Sequence, residues 1–322
     1  MSRWRKVAKI MALTALVTVS GLLGFVHVRG RRRFDVALPS VRASADPAVI
    51  ARGEFLVQGP AHCAGCHAAS LSEFHAMRPG QAIVPRGGVR WHLPFGEFRS
   101  ANLTPDRETG IGAWSDGELA RAIRHGVGRD GHFLPMMALA VGEFSDADLR
   151  AIISYLRSLA PERRPLAPES PNTLGYALVA FALGPSHLNA PPAAVEPGPT
   201  TAYGGYLTRV AACIECHSPR DGAFRRMEPA FSGGDPEPSE EDSAFELAAP
   251  NLTRGGLLAS FNEDGFIARM RAGRRYRDSH MAWENFARMS DDDLRAIYRY
   301  LQTVPPSSKV TGPSRRPRGW RG

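Results

Sequence analysis

The sequence predicts an all-α chain: two tandem helical domains of the same build, joined by a Pro-rich linker and preceded by a single N-terminal transmembrane helix. Three observations predict it. A 19-residue run from Ile10 to Val28 contains no Asp, Glu, Lys or Arg. Landmarks of the first half recur in the same order in the second, at offsets of 145 to 150 residues. Helix-capping signals followed by apolar residues at helical spacing mark both halves. The expected segments are 1–33 (membrane anchor or signal), 47–160 (first domain), 161–200 (linker), 201–306 (second domain) and 307–322 (basic, disordered tail).

In chain order, the N-terminal run comes first. At 1.5 Å per residue it makes a helix of roughly 28 Å, close to the ~30 Å bilayer core. It is long for the apolar part of a signal peptide, and Val28-Arg29-Gly30-Arg31-Arg32-Arg33 offers no small-residue cleavage site directly after it. An uncleaved anchor is therefore favoured. Basic residues flank it on both sides, so the positive-inside rule does not orient it.

The first domain opens at Asp46-Pro47, an N-cap followed by Pro at the first helical position. A helix is expected over 48–58, and residues 68–101 read as irregular. Ser115-x-x-Glu118 opens a second helix to about His125; 126–137 reads as loop. Ser145-x-x-Asp148 opens the last helix, with Leu149, Ile152, Ile153 and Leu156 on one face. The linker holds one apolar stretch, Leu174 to Leu183, too short to span a bilayer. It is expected to lie buried between the domains, the alternative being a patch for a membrane surface or a partner. In the second half, 203–211 leads in. Asn251-Leu252-Thr253 repeats Asn102-Leu103-Thr104, Ser260-x-x-Glu263 repeats Ser115-x-x-Glu118, and Ser290-Asp-Asp-Asp-Leu-Arg-Ala-Ile repeats the start of the last helix. Both Asn-Leu-Thr triplets match the glycosylation sequon. Recurring at matched places, they read as a turn that packs near the functional site.

The chemistry lies in Cys63-Ala64-Gly65-Cys66-His67 and its copy Cys213-Ile214-Glu215-Cys216-His217. C-x-x-C-H is the attachment signal of a c-type haem. Two thiols about one helical turn apart take the two vinyl groups, and the next His lies under the iron. All four cysteines of the chain are used in this way. Zinc sites and exported disulfides are the competing uses, but neither needs a His directly after the second Cys, twice. The expectation is two covalently bound haem c groups: one on Cys63 and Cys66 with His67, one on Cys213 and Cys216 with His217.

These motifs make the chain resemble the class I c-type cytochromes. It is similar to the multihaem cytochrome c subunits that carry electrons away from membrane-bound bacterial dehydrogenases for alcohols, aldehydes and sugar acids. The resemblance covers residues 47–306; related subunits often have three haem domains, and this chain has two. It implies a Met as sixth iron ligand, in the loop before each last helix. The family pattern of Pro, one residue, then Met maps onto Met137, with Met136 the alternative, although Ala138 stands where a Pro is usual. In the second domain Met281 takes the role, again followed by Ala. His132 and His280 are the competing ligands, and Met289 is expected in the core. Met ligation raises the potential relative to a second His and fills the site.

The implied role is an electron carrier, not an enzyme. Electrons would come from a partner dehydrogenase or a quinol-linked donor and pass to a terminal oxidase or a soluble cytochrome. Covalent haem attachment takes place outside the cytoplasm, so the haem domains are expected in the periplasm, with the N-terminal helix in a bacterial inner membrane. A dihaem peroxidase or sulfur-compound oxidoreductase is the alternative; it needs a vacant, His or Cys distal site, and no Cys is spare. The formal charge of +8 comes from the ends: removing eight basic residues of 1–33 and five of 307–322 leaves 27 basic against 32 acidic. No basic surface is required on the folded body, which argues against nucleic acid as a partner.

Overall fold

The computed structural model describes residues 3–77, 81–140, 143–185, 190–221, 225–239 and 241–320. It begins with α1 (Arg3–Gly30), a 28-residue helix long and apolar enough, by length and composition, to cross a membrane. Its apolar side chains are exposed from Ile10 through Phe25, and Val26 alone is buried.

The first half then runs α2 (Pro47–Gln58), α3 (Cys63–Cys66), α4 (Leu71–His75), β1 (Arg90–Leu93), β2 (Gly96–Arg99), α5 (Asp116–His125), α6 (Pro135–Ala140), α7 (Asp146–Ser158) and β3 (Ser170–Pro171). After α8 (Thr173–Phe181) the second half follows with α9 (Thr201–Val210), α10 (Cys213–His217), β4 (Arg220–Asp221), β5 (Arg225–Arg226), β6 (Glu237–Pro238) and β7 (Phe245–Leu247). It ends with α11 (Glu263–Arg271), α12 (Trp283–Phe286), α13 (Asp291–Leu301) and β8 (Arg315–Pro317).

The all-α expectation is overturned. Three small antiparallel sheets form among the described residues, in the orders β1-β2-β3, β4-β5 and β6-β7-β8. Their strands have two to four residues, too few to show a period of two in the sequence. Two of the sheets belong to the repeat. β3 pairs with β2 as Glu97↔Ser170, and β8 pairs with β7 as Glu246↔Arg316. The start of the linker and the C-terminal tail are thus the same element of the duplicated unit, each returning a strand to its own half. A tail expected to be disordered is instead paired, with Arg316 buried against Glu246 at 2.7 Å.

Each half is built on the crossing of its first and last helices, α2 on α7 and α9 on α13. The crossings are close because a glycine sits at each. A Cβ on Gly53 would lie 1.9 Å from the carbonyl oxygen of Ala151, and one on Gly204 would lie 1.9 Å from that of Ala296. Leu149, Ile152 and Ile153 of α7, and Leu294 and Leu301 of α13, fill the core beneath. That core is continuous across both halves and includes Met289, as expected.

Local structure departs from the sequence reading at two more points. The loop expected over 126–137 ends in the short helix α6. Ser260 is not the cap of α11: its hydroxyl donates to the Leu257 carbonyl in a 3-10 turn, and Asn262 takes the cap by accepting from the Gly265 N–H at 2.8 Å. Asp46, Ser115, Ser145 and Ser290 cap their helices as their sequence context predicts.

Candidate haem sites

Each C-x-x-C-H segment forms a single helical turn directly after a residue in the left-handed region: His62 at φ 42° and Ala212 at φ 50°. Neither is a glycine, and a left-handed non-glycine costs about 1 kcal/mol or more, so two at matched positions point to a constrained site. The turn stacks the two thiols of each motif on one side. Burial, and then the neighbouring thiol of the pair, pushes Cys63 and Cys213 up to about 12. A raised thiol is held in its protonated form until it is consumed. All four cysteines are free of disulfides, and among the described residues no three His, Cys, Asp or Glu side chains converge as a metal cluster would need.

The imidazoles are fixed in the same way in both halves. His67 Nδ1 lies 2.7 Å from the Ala101 carbonyl oxygen, and His217 Nδ1 lies 2.9 Å from that of Pro250. A carbonyl partner assigns the proton to Nδ1 and leaves Nε2 as the free, electron-rich nitrogen. Burial holds both imidazoles below their ordinary range, against the opposing pull of the carbonyl, so both are neutral as a ligand must be.

The accepting carbonyls stand immediately before the two Asn-Leu-Thr triplets. Asn102 Oδ1 accepts from the Thr104 N–H and hydroxyl at 2.9 and 2.8 Å, and its Nδ2 donates to the Glu162 carbonyl at 2.8 Å. Asn251 repeats this with Thr253 at 2.9 and 2.7 Å and with the Ser307 carbonyl at 2.9 Å. Both asparagines and both threonines are buried. These are turn-forming side chains that hold the proximal carbonyl against the segment after the last helix, and they are inaccessible to glycosylation.

A second clamp was not read from the sequence. The Gly87 N–H donates to the His67 carbonyl at 2.7 Å, and the Gly233 N–H donates to the His217 carbonyl at 2.8 Å. Gly87 and Gly233 have φ of 72° and 99°, a region natural to glycine. The signal was available: Gly87-Gly88 recurs as Gly233-Gly234.

The distal loops hold the predicted methionines. Met136 and Met137 open α6 and are both half-buried. Consecutive helical side chains diverge by about 100°, so one of the two faces any given ligand position. Met281 is half-buried and packs against the core. The competing histidines have carboxylate partners at Nδ1: His132 with Asp130 at 2.7 Å and His280, exposed, with Glu237 at 3.0 Å. The second loop has a brace that sequence reasoning missed. Arg274 grips Glu284 through two 2.9 Å bonds and donates to the carbonyls of Ser279 and Met281, the latter at 3.2 Å. Arg124 and Arg271 form a further matched pair. They donate to the carbonyls of Phe144 and Met289 and to Asp146 and Asp291 at the start of each last helix.

Residues 50–160 match the cytochrome c family. The chain carries a cytochrome c domain. It is 30% identical over 292 residues to the gluconate 2-dehydrogenase cytochrome c subunit of Pantoea cypripedii, covering 81% of this chain and 60% of that protein. It is 28% identical over 284 residues to the alcohol dehydrogenase (quinone) cytochrome c subunit of Gluconacetobacter polyoxogenes, covering 81% and 57%. It is also 28% identical over 253 residues to a diheme c-type cytochrome of Cereibacter sphaeroides, covering 76% and 82%. The chain thus spans about 60% of the length of the dehydrogenase subunits it matches. A cytochrome c domain implies a covalently bound haem c, and the residues present fit that group: adjacent half-buried thiols on one turn, a neutral imidazole with Nε2 free, and a carbonyl that orients the ring. Cys63 and Cys66 would hold the haem through thioethers, with His67 as proximal ligand.

Proposed function

We propose that this protein is a membrane-anchored cytochrome with two covalent haem c groups, and that it relays electrons from a partner dehydrogenase or quinol-linked donor. The acceptor is a terminal oxidase or a soluble cytochrome. The second haem is held by Cys213 and Cys216 with His217, and the sixth ligands are Met137 and Met281. When bound, the iron supplies one-electron exchange; the chain supplies the ligands, the orientation and the exclusion of water.

One observation carries the reading. The whole proximal apparatus (left-handed lead residue, cysteine turn, carbonyl-bound imidazole, Asn-x-Thr clasp) occurs twice with the same contacts. The relatives named as dehydrogenase cytochrome c subunits support the donor class, and the diheme relative supports the count. The braced Met281 loop, with Arg274 donating to the Met281 carbonyl, favours Met ligation and a carrier over an open catalytic site. The position of α1 before an exported body supports a bacterial inner-membrane protein, single-pass, with both haem units in the periplasm.

The test is spectroscopic. The oxidised protein should show the far-red band of Met–iron(III) bonds at an intensity for two haems, and the reduced protein should not bind carbon monoxide. Met137→Ala and Met281→Ala should each remove half of the band and open one iron to carbon monoxide. An unchanged band in either variant would remove that methionine from the ligand set.

A further inference from the structure

The apolar stretch between the halves does not lie between them. α8 packs on the last turns of α1. The rings of Phe25 and Phe181 stand 6.2 Å apart, and those of His27 and Tyr176 4.2 Å apart. Gly30 lies so close that a Cβ there would be 2.5 Å from the Tyr176 carbonyl oxygen. The basic residues that end α1 are tied to the same helix: Arg29 donates to the Ala180 carbonyl at 3.0 Å, Arg32 to that of Val179 at 3.4 Å, and Arg31 to the Tyr176 hydroxyl at 3.1 Å. Cationic groups at a helix C-terminus meet its free carbonyls and its negative pole.

The other face of α8 is apolar and open. The helix has no charged residue, and its inward side chains Val179 and Ala180 are buried. Leu174 and Phe181, seven residues apart and so on one face, are 50% and 63% exposed. They continue the exposed apolar surface of α1, where Phe25 and Val28 are 53% and 77% exposed. Leu174 and Phe181 therefore stand at the level where α1 would leave the bilayer, beside arginines whose charge matches lipid phosphate.

We propose that α8 is a membrane-interface helix. It lays Leu174 and Phe181 into the outer edge of the same leaflet that α1 crosses, with Arg29, Arg31 and Arg32 at the phosphate level. The first half is then docked on the membrane and not merely tethered to it, because β3 runs directly into α8 through Pro171 and Asn172. The inference rests on the reading of α1 as an anchor.

The experiment uses the full haem-loaded chain in nanodiscs containing anionic phospholipid. The native cysteines are consumed by haem, so Leu16→Cys, Leu174→Cys, Phe181→Cys and Val310→Cys each accept one spin label. Collision with oxygen and with a water-soluble nickel complex reads the depth of each. The expected order is position 16 deep, positions 174 and 181 shallow but several-fold richer in oxygen relative to nickel than position 310, and position 310 fully aqueous. If 174 and 181 match 310 while 16 is deep, the inference fails and the anchor stands. If 16 is aqueous as well, both fall. Spin–spin broadening at 174 or 181 would assign the face to a second copy of the chain and overturn the lipid assignment.

Discussion

The two halves hold the same proximal apparatus in opposite surroundings. The first C-x-x-C-H turn is covered by the second half. A Cβ on Gly65 would lie 2.8 Å from Asn285 Oδ1 and 3.0 Å from the Phe74 ring. The Asn285 amide donates to the Gln58 carbonyl at 2.6 Å, and Arg288 donates to the Gln81 carbonyl at 2.8 Å. Thus the loop that presents Met281 in one half seals the cysteine turn of the other. The second turn is more open among the described residues: Cys216 is exposed, and Glu215 pairs with Arg220 at 3.1 Å near the surface. The difference explains the variable pair in each motif. Ala-Gly is what fits under a neighbouring loop, and Ile-Glu is what an open edge tolerates.

The largest expected effect comes from making the covered motif resemble the open one. Gly65→Glu forces a carboxylate into the buried space between Asn285 and Phe74 and should cost about 4 kcal/mol. The reverse change, Glu215→Gly, removes the half-exposed ion pair with Arg220 and should stay within about 1 kcal/mol. Denaturant titration of the two haem-loaded variants compares them directly. Equal midpoints would mean that the cover over the first motif does not exist in solution.

A second contrast concerns the aspartate at the third position of each last helix. Asp293 closes a capping box, accepting from the Ser290 N–H at 2.7 Å. Its counterpart Asp148 has left that duty. It takes a bidentate ion pair from Arg52, with both bonds at 2.8 Å, and accepts from the Tyr206 hydroxyl at 2.6 Å. Tyr206 also receives the Ser145 N–H at 3.2 Å, standing in for the missing carboxylate. Arg52 reaches on to the Tyr203 hydroxyl at 2.9 Å, so one buried cluster joins α2, α7 and α9. Asp148→Asn should therefore cost about 3 kcal/mol, as loss of one member of a buried pair does, and Asp293→Asn about 1 kcal/mol, as a weakened cap does. Thermal or denaturant midpoints decide this, and equal losses would return Asp148 to the role of an ordinary cap.

What the sequence showed and what it hid follow one physical division. Local signals were legible: the cysteine turns, the caps at Asp46, Ser115, Ser145 and Ser290, and the helical faces all depend on neighbours within a few residues. The proximity of Asn-Leu-Thr to each proximal histidine was legible only because it recurs. The misreadings were of long-range pairing. β3 and β8 exist because β2 and β7 offer them an edge, so a Pro-rich linker and a basic tail gave no sign of a strand. Ser260 and Asn262 competed for one helix start, and the 3-10 turn before it decided between them. Asn285 and Arg274 act on distant backbone and carry no local signature, and the Asp148–Arg52 pair, 96 residues apart, looks like two separate surface charges.

The smallest expected effect separates the two returning strands. In the first half Glu97 of β2 faces Ser170 of β3, a pairing with no charge on the returning strand. In the second half Glu246 of β7 faces Arg316 of β8, and the Arg316 guanidinium with the Gly319 N–H holds the Glu246 carboxyl below its ordinary range. A depressed carboxyl contributes its stabilisation above its unfolded pKa, about 4.3 for Glu, and loses it as the pH falls through the lower folded value. Acidification below about pH 4 should therefore release β8 from β7 before β3 leaves β2. Amide hydrogen exchange from pH-jumped samples reads both strands in one experiment. Protection lost first around 315–317, and abolished already at neutral pH by Glu246→Gln, supports the ion pair as the clasp of the tail. Simultaneous loss at both strands would show that backbone pairing holds them equally and that the charge pair between Glu246 and Arg316 adds nothing.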